Sequence, residues 1–595
     1  MRKLFALLSL LIVASMVLAA CGTPATEAPA ATEAPAATEA ATDAPAAPEA
    51  MNCDVPLMGA EPMHEVQTLR VNLGSFPDII DPQKSSFVNE IAHLQSFYEG
   101  LTKLNGKLET VPGAAESWTY NADSTELTFK LRDCLMYSDG TLLNAERFRY
   151  SLLRNINPET AGEYAAITDE INGAAEWRGG DAAAQATVEE SLVASHADGA
   201  ACTGYEDVEC TTFKLTLKQP APYFHTVMSL WVVFPAKEEL ITAGGETWWL
   251  EAKNHVGNGP FILESMEPQV SAHMVPNPYY WGGQPSINLD YSYITDSAVS
   301  FEAYKNDEFD IVGLAAEDYD TIMADPTLSK EATIYPGSCT FAVMFHQAKA
   351  PFDNKAVREA FAYALDRDAW VKDVLKGLGA PTLTWIPPGF PGYQDGETRL
   401  GFNAEKAVQT LTDAGYKVEG GKLIGPDGAA IEIVQTFSDT PRNRTRNEWL
   451  VAKFKEVLGV DIALNPVEPT TYTALTKDVA TAPQMFILGW CADYPDPQNW
   501  LSVYWKTGAF GERIAYSNPD LDALLNKADT EGDPATRAQL YADAQDMLVA
   551  GSPVAFMWNN VNTYMVKPWV KGLALTPMDP GYPGQYVATD IYIEK

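Results

Sequence analysis

The side chains that could perform acid–base, metal or nucleophilic chemistry do not form a catalytic motif in this sequence. The seven histidines never occur as His-Glu-x-x-His, and no serine lies in a Gly-x-Ser-x-Gly turn. Asp493 and Asp496 could bind calcium, but the alternating oxygen ligands and the glycine of a calcium loop are missing. His255, which stands alone beside a glycine-rich turn, is predicted to be structural. The sequence therefore predicts a protein that is not an enzyme and needs no cofactor or metal.

The net charge and the length of the chain further limit the classes of protein to which it can belong. The chain has 595 residues and a formal net charge of -38. At roughly 100–200 residues per domain, several folding units are expected. Nucleic acids are excluded as partners, because their recognition depends on contacts between cations and phosphates. The acidic surface is instead typical of a soluble, secreted protein.

The N-terminus has the pattern of a processing signal. Arg2 and Lys3 precede an uncharged apolar run, and residues 18–21 read Leu-Ala-Ala-Cys, which resembles the bacterial lipobox. The pattern predicts a lipoprotein signal peptide over 1–20 and lipidation of Cys21; a retained membrane helix is the alternative. Residues 21–60, rich in Ala, Thr, Pro and Glu, are expected to form a disordered tether. The location expected is extracytoplasmic, on the periplasmic or cell-surface face.

Six cysteines remain beside Cys21: Cys53, Cys134, Cys202, Cys210, Cys339 and Cys491. An even number in an oxidising compartment predicts three disulfides, but the count leaves their pairing open. No Cys-x-x-Cys occurs, which argues against zinc-ribbon and thioredoxin folds. Strand-like alternation and amphipathic helical stretches follow one another without repeats, which predicts an α/β chain. The predicted strands are 68–73, 127–131 and 213–217, and the predicted helices include 354–375, 402–414, 447–458 and those opening at 518 and 533.

Several short motifs occur in an order that points to one family. They lie at 98–101, 112–118, 129–141, 256–261, 277–281, 351–367, 489–494 and 566–569. From about residue 68 to the end, the chain resembles the dipeptide- and oligopeptide-binding proteins of solute-binding protein family 5. The resemblance implies an α/β periplasmic-binding-protein type II fold of the three-lobed kind (cluster C), with the ligand cleft between two hinged lobes. Lobe I would comprise 61–98, 222–338 and 561–595, lobe II 99–221, and lobe III 339–560.

The resemblance also implies a set of ligand-binding residues. Asp493 matches the residue that takes a peptide α-amino group; a cap or turn role is the alternative. Residues 489–491 match the segment that adds to the peptide backbone, and 86–88 match the segment that pairs from the opposite lobe. Core packing is the alternative for Trp490, and ordinary burial for Val88. The residues expected to contact the ligand are Ser86, Val88, Tyr164, Gly489, Trp490, Cys491 and Asp493.

The disulfide pairing and two departures from the family pattern complete the prediction. The resemblance implies Cys339–Cys491; closeness in sequence pairs Cys202 with Cys210, which leaves Cys53 with Cys134. Ile487 stands where some oligopeptide binders carry an arginine for the peptide carboxylate. Residues 313–315, Gly-Leu-Ala, lack the Tyr-Asn pair expected there. Only the N-terminal anchor of a peptide is therefore predicted.

The function that the resemblance implies is peptide capture for an ABC importer. The protein would be a monomer that contacts the membrane through its lipid only. It would deliver peptides to permease subunits served by separate ATPase subunits. One alternative is the same fold binding a non-peptide solute such as an oligosaccharide or a metal chelate. The other is a tethered hydrolase, for which the sequence offers no nucleophile and base.

Overall fold

The computed structural model describes residue 53 and residues 56–595. The predicted signal peptide, Cys21 and most of the tether lie outside these residues. The strands of the described chain are β1 Gln67–Asn72, β2 Thr102–Leu104, β3 Thr110–Pro112, β4 Ala115–Tyr120, β5 Glu126–Leu131, β6 Leu192–Ser195, β7 Thr212–Thr216, β8 Phe261–Glu267, β9 Ser271–Pro276, β10 Ile287–Ser292, β11 Ile311–Gly313, β12 Ala332–Phe345, β13 Ala380–Pro381, β14 Lys417–Glu419, β15 Lys422–Ile424, β16 Ala430–Ile431, β17 Ile433–Ser438, β18 Ile462–Val467, β19 Met485–Cys491, β20 Val554–Val566, β21 Val570–Lys571 and β22 Tyr592–Ile593.

Helices alternate with these strands along the chain. The α-helices are Val88–Phe97, Ala145–Ile156, Ala174–Arg178, Ala184–Ser191, Phe224–Val227, Glu238–Gly244, Ser297–Lys305, Tyr319–Ala324, Lys355–Ala364, Arg367–Ala369, Ala404–Asp413, Pro441–Leu458, Pro469–Lys477, Pro497–Trp505, Pro519–Thr530 and Pro534–Gly551. None of the helices in the described part of the chain combines the length and apolar character that a membrane crossing requires.

One large mixed sheet connects two halves of the molecule. Its strands run in the order β18-β17-β19-β12-β20-β11-β1-β10-β9-β8, and β13 pairs with β20. The long antiparallel pair β12–β20 joins the half formed by 67–72 and 261–313 to the half formed by 433–491. Its register shifts between Pro336 and Thr340. The predicted lobe boundaries at 338 and 560 fall inside these two strands, and the division into lobes remains a prediction.

A separate four-stranded antiparallel sheet, β4-β5-β7-β6, lies between residues 115 and 216. Successive side chains of a strand point to opposite faces of its sheet. Leu127, Phe129 and Leu131 of β5 therefore share one face, and all three are buried. They belong to one hydrophobic core with Leu69 and Val71 of β1. The predicted strands at 68–73, 127–131 and 213–217 are thus confirmed to within one residue at their ends.

The predicted helix over 354–375 is interrupted. It begins after Asn354, whose side chain caps it, but ends at Ala364. The buried guanidinium of Arg367 donates to the carbonyl oxygens of Phe556, at 2.6 Å, and of Ala362 and Leu365. These bonds satisfy carbonyl groups at the end of the helix, where Ala362 otherwise accepts only a long hydrogen bond, at 3.4 Å, from the backbone N–H of Leu365. A long-range contact therefore ends a helix that the local pattern would continue.

The described chain contains three disulfides, Cys53–Cys134, Cys202–Cys210 and Cys339–Cys491. These are the three predicted pairs. Cys339 and Cys491 are direct cross-strand partners of β12 and β19. This bridge joins strands that are adjacent in the sheet but 152 residues apart in sequence.

Candidate functional site

The candidate site is built on the end of β19 and the turn that follows it. Strand β19 pairs with β12 along its whole length, whereas β17 meets it at Met485 only. The N–H of Ala492 donates to a carbonyl oxygen of β12 at 2.9 Å. Because backbone groups alternate in direction along a strand, those of Gly489 and Cys491 point away from β12. Within the described chain no other strand covers this edge beyond Met485, so an extended ligand can add to it.

Gly489 brings the strand edge close against its neighbour. A Cβ atom at this position would lie 2.6 Å from Cδ1 of Phe341 and 2.8 Å from the carbonyl oxygen of Thr340. No side chain fits there without displacing the Phe341 ring, which stacks on Trp558 with centroids 4.5 Å apart. Gly489 is therefore required by packing against β12.

The carboxylate of Asp493 is held by two side chains. Tyr164 donates its hydroxyl to Oδ1 at 3.1 Å, and Asn499 donates its amide to Oδ2 at 2.9 Å. The side chain of Asp496, not that of Asp493, caps the helix Pro497–Trp505. The alternative role of Asp493 as a helix cap is therefore wrong, and both carboxylate oxygens keep lone pairs for a further donor.

The side chain of Asn499 also binds the backbone of Asp493 and the side chain of Trp490. Its Oδ1 accepts the backbone N–H of Asp493 at 3.1 Å and the indole N–H of Trp490 at 3.3 Å. Burial raises the pKa of Asp493 to about 6, against the opposing effect of the Asn499 and Tyr164 hydrogen bonds. Coulombic repulsion from Asp493, with burial, raises the pKa of the Tyr164 hydroxyl, so this hydroxyl remains a donor. A partly buried carboxylate whose hydrogen-bond partners among the described residues are neutral is suited to bind a cation.

A cavity of about 530 Å³ opens beside Asp493. Its aromatic lining residues are Tyr164, Tyr223, Trp490, Tyr494 and Phe510. Its charged lining residues are Glu163, Asp169, Glu170, Lys477 and Asp493. The Trp490 ring contacts Tyr504 and Phe510, with centroids 5.3 and 4.8 Å away, so Trp490 both packs and faces the cavity. Aromatic walls with a few polar groups are typical of a small-molecule site.

The other predicted segment, 86–88, does not line this cavity. Ser86 reaches its rim indirectly, through a 2.7 Å hydrogen bond from its hydroxyl to Glu163. The backbone N–H groups of Ser86 and Phe87 donate to the carboxylate of Glu90, at 2.6 and 3.0 Å. Val88 is 59% exposed at the start of its helix. The alternative that Val88 is an ordinary buried residue is therefore wrong. The predicted contacts of Ser86 and Val88 with a ligand remain predictions.

Comparison with known proteins assigns the chain to a family. The model of the bacterial extracellular solute-binding proteins, family 5, matches residues 109–512, which is more than half of the chain. The chain belongs to family 5. It is therefore a solute-binding protein of transport and not an enzyme, as the missing catalytic motifs predict.

Relatives and solved structures agree with the family 5 assignment. The periplasmic oligopeptide-binding protein OppA of Salmonella typhimurium is 28% identical over 92% of this chain and 95% of its own length. A probable deoxycholate-binding periplasmic protein of Escherichia coli, YgiS, is 26% identical over 89% of this chain and 94% of its own. The Escherichia coli murein tripeptide binding protein MppA superposes with a TM-score of 0.70 at 24% identity, over 89% and 99% of the two chains. The fold is the type II periplasmic binding fold.

Several residues of this family 5 site escape prediction from sequence. Asn499 lies six residues after Asp493, inside a helix, and no local pattern marks it. Glu170 and Tyr223 reach the cavity from distant segments. Ile487, a predicted departure from the family pattern, is partly buried against a hydrophobic core, and its carbonyl oxygen accepts the Tyr472 hydroxyl at 2.7 Å. The position therefore offers no cation for a peptide carboxylate.

Proposed function

We propose that this chain captures peptides with free N-termini for an ABC importer, most often as short oligopeptides. The observation that carries the proposal is the Asp493 carboxylate, held by Tyr164 and Asn499 at the end of an uncovered strand edge. An ammonium group is the natural partner of this carboxylate, because an isolated buried charge is costly. The names of the relatives, which include oligopeptide-, dipeptide- and murein peptide-binding proteins, support the same ligand class.

Backbone pairing supplies the rest of the recognition. The outward backbone groups of Gly489 and Cys491 offer donors and acceptors at the spacing of an antiparallel strand. Such pairing does not depend on the side chains of the ligand, so one site can accept many sequences. The ammonium contact fixes the register of the peptide, and the aromatic cavity receives its first side chain.

Native mass spectrometry of the purified protein tests the proposal. We expect a ladder of co-purified masses that match short peptides. The second candidate is a non-peptide solute, favoured by the aromatic cavity and by the relative described as a probable deoxycholate-binding protein. A single discrete non-peptide mass would support that candidate and contradict peptide capture.

Binding should weaken in acid, because Asp493 takes up a proton more readily than an ordinary carboxyl. Its pKa is about 6 in the unliganded site, and an ammonium partner would lower this value. Binding at pH 5 therefore requires the loss of a proton, and affinity falls as pH falls. Calorimetry with free trialanine should show roughly a tenfold loss between about pH 7.5 and about pH 5. Affinity that is constant over this range would show that Asp493 does not bind the ammonium; Asp493→Asn is the control that should lack the inflection.

We also propose that Cys21 is acylated after removal of 1–20, so that the tether holds the receptor near its permease as a membrane-anchored monomer. The lipobox-like Leu-Ala-Ala-Cys supports this. Cys21→Ala should release the protein from the membrane fraction, because it removes the acyl attachment. Incorporation of labelled palmitate into the parent, and not into the variant, checks the chemistry. Membrane retention of the variant after a high-salt wash would contradict the proposal.

A further inference from the structure

The lining of the candidate cavity contains more acidic side chains than the binding of one ammonium group requires. Its acidic lining residues are Glu163, Asp169, Glu170 and Asp493. The guanidinium of Arg178 donates two hydrogen bonds to Asp169 and neutralises it. Among the described residues of the lining, Lys477 is the basic one, and it is exposed. Negative charge in the lining therefore lies on Glu163 and Glu170 as well as on the anchor.

Glu170 is the carboxylate with the fewest good partners. Its Oε1 accepts long hydrogen bonds from Tyr223, at 3.4 Å, and Gln219, at 3.5 Å. Its Oε2 is buried and has no hydrogen-bond partner within the described chain. The ammonium of Lys218 is 3.8 Å away from Oε2, beyond hydrogen-bonding distance. Burial raises the pKa of Glu170 against the opposing effect of the Lys218 ammonium, so this long ion pair compensates the carboxylate only in part.

An aromatic wall connects Glu170 to the ammonium anchor. The ring of Tyr223, whose hydroxyl contacts Glu170, stacks on Tyr494 with centroids 6.5 Å apart and planes 5° from parallel. Tyr494 directly follows Asp493. This wall suits the methylene stem of a long side chain, whose charged end would then meet the second carboxylate.

We infer that the cavity binds the cationic side chain of the ligand's first residue, so that peptides beginning with Lys or Arg are selected. Asp493 would take the α-amino group, and Glu170 would take the side-chain ammonium or guanidinium. The inference rests on the proposed peptide function and specifies its ligand class. The net charge of -38 acts in the same direction, because it raises the encounter rate of cationic ligands at low salt.

Calorimetry with three tripeptides that differ only at the first residue tests the inference. The peptides are Lys-Ala-Ala, norleucine-Ala-Ala, which has the same stem without the charge, and Glu-Ala-Ala. We expect the lysine peptide to bind about tenfold more tightly than the norleucine peptide, as for a charge-assisted hydrogen bond, and the glutamate peptide to bind least. Equal or tighter binding of the norleucine peptide would overturn the inference while leaving peptide capture intact. Failure of all three peptides to bind would overturn both proposals.

Matched variants assign the effect to Glu170. Glu170→Gln should reduce the lysine-to-norleucine affinity ratio to about one third or less, with the norleucine affinity unchanged. Glu190→Gln removes the same charge at an exposed residue that does not line the cavity, and should leave the ratio unchanged. An equal loss for both peptides in Glu170→Gln, or an equal fall of the ratio in both variants, would overturn the assignment to Glu170.

Discussion

Asp493→Asn is expected to weaken the binding of a free tripeptide by about 2–5 kcal/mol, the usual cost of removing one partner of a buried charge pair. The substitution keeps the size of the side chain. Its amide oxygen can still accept the Tyr164 hydroxyl or the Asn499 amide. The ammonium of the peptide, however, would lose its counter-charge in a site where burial already raises the pKa of the carboxyl to about 6. Calorimetry at neutral pH measures the loss directly.

An acetylated peptide provides the complementary control. N-acetyl-trialanine has no ammonium group, so it should bind poorly to the parent protein. It should lose little further affinity in Asp493→Asn, because the variant removes a contact that this ligand cannot make. Equal affinity of the parent for free and acetylated peptides would contradict the proposed recognition of the peptide ammonium by Asp493. Thermal unfolding of the variant without ligand shows whether a loss of affinity reflects a loss of fold.

The second large effect is expected from removal of the Cys339–Cys491 bridge. The bridge spans 152 residues. In the chain-entropy model a loop of this length restricts the unfolded chain by about 5 kcal/mol. Cys339→Ala combined with Cys491→Ala should therefore lower the free energy of unfolding by several kcal/mol. Because Gly489 and Cys491 present the uncovered edge of β19, the same variant should also bind peptides more weakly.

Removal of the Cys202–Cys210 bridge is the matched control. Its loop has a sequence separation of 8, for which the same model gives about 2–3 kcal/mol. The bridge lies in the segment between β6 and β7, away from the residues that line the cavity. We expect a smaller drop in the urea midpoint and an unchanged peptide affinity. A larger drop for this pair than for Cys339–Cys491 would contradict the loop-length argument.

Helix starts were predictable from sequence because their signals are local. The side chains of Asn403, Asn518 and Asp533 each accept a backbone N–H within the first turn of the helix that follows. Such a bond joins residues two or three apart, so the order of residues is sufficient to predict it. The helix predicted over 447–458 instead begins at Pro441, since Thr440 provides the cap and Pro441 the first helical residue. The apolar pattern marks only the buried part of that helix.

Helix ends depended more on tertiary contacts. Gly459 ends its helix in the left-handed conformation, which glycine adopts without strain, and this end was predicted. The end at Ala364 was not, because Arg367 is held there by the carbonyl oxygen of Phe556, which is 189 residues away. No periodicity within the helix contains that information.

The sequence by itself determined the family, the acidic charge, and the contiguous segment from Gly489 to Asp493, because these depend on composition and on the order of neighbouring residues. Only the tertiary structure decided what surrounds Asp493. Tyr164, which donates to its carboxylate, lies 329 positions earlier in the chain, and Glu170 reaches the same cavity from the same distant segment. The physical reason is that a buried carboxylate takes its partners from whichever segments the packing brings within hydrogen-bonding distance, and no local pattern encodes that proximity.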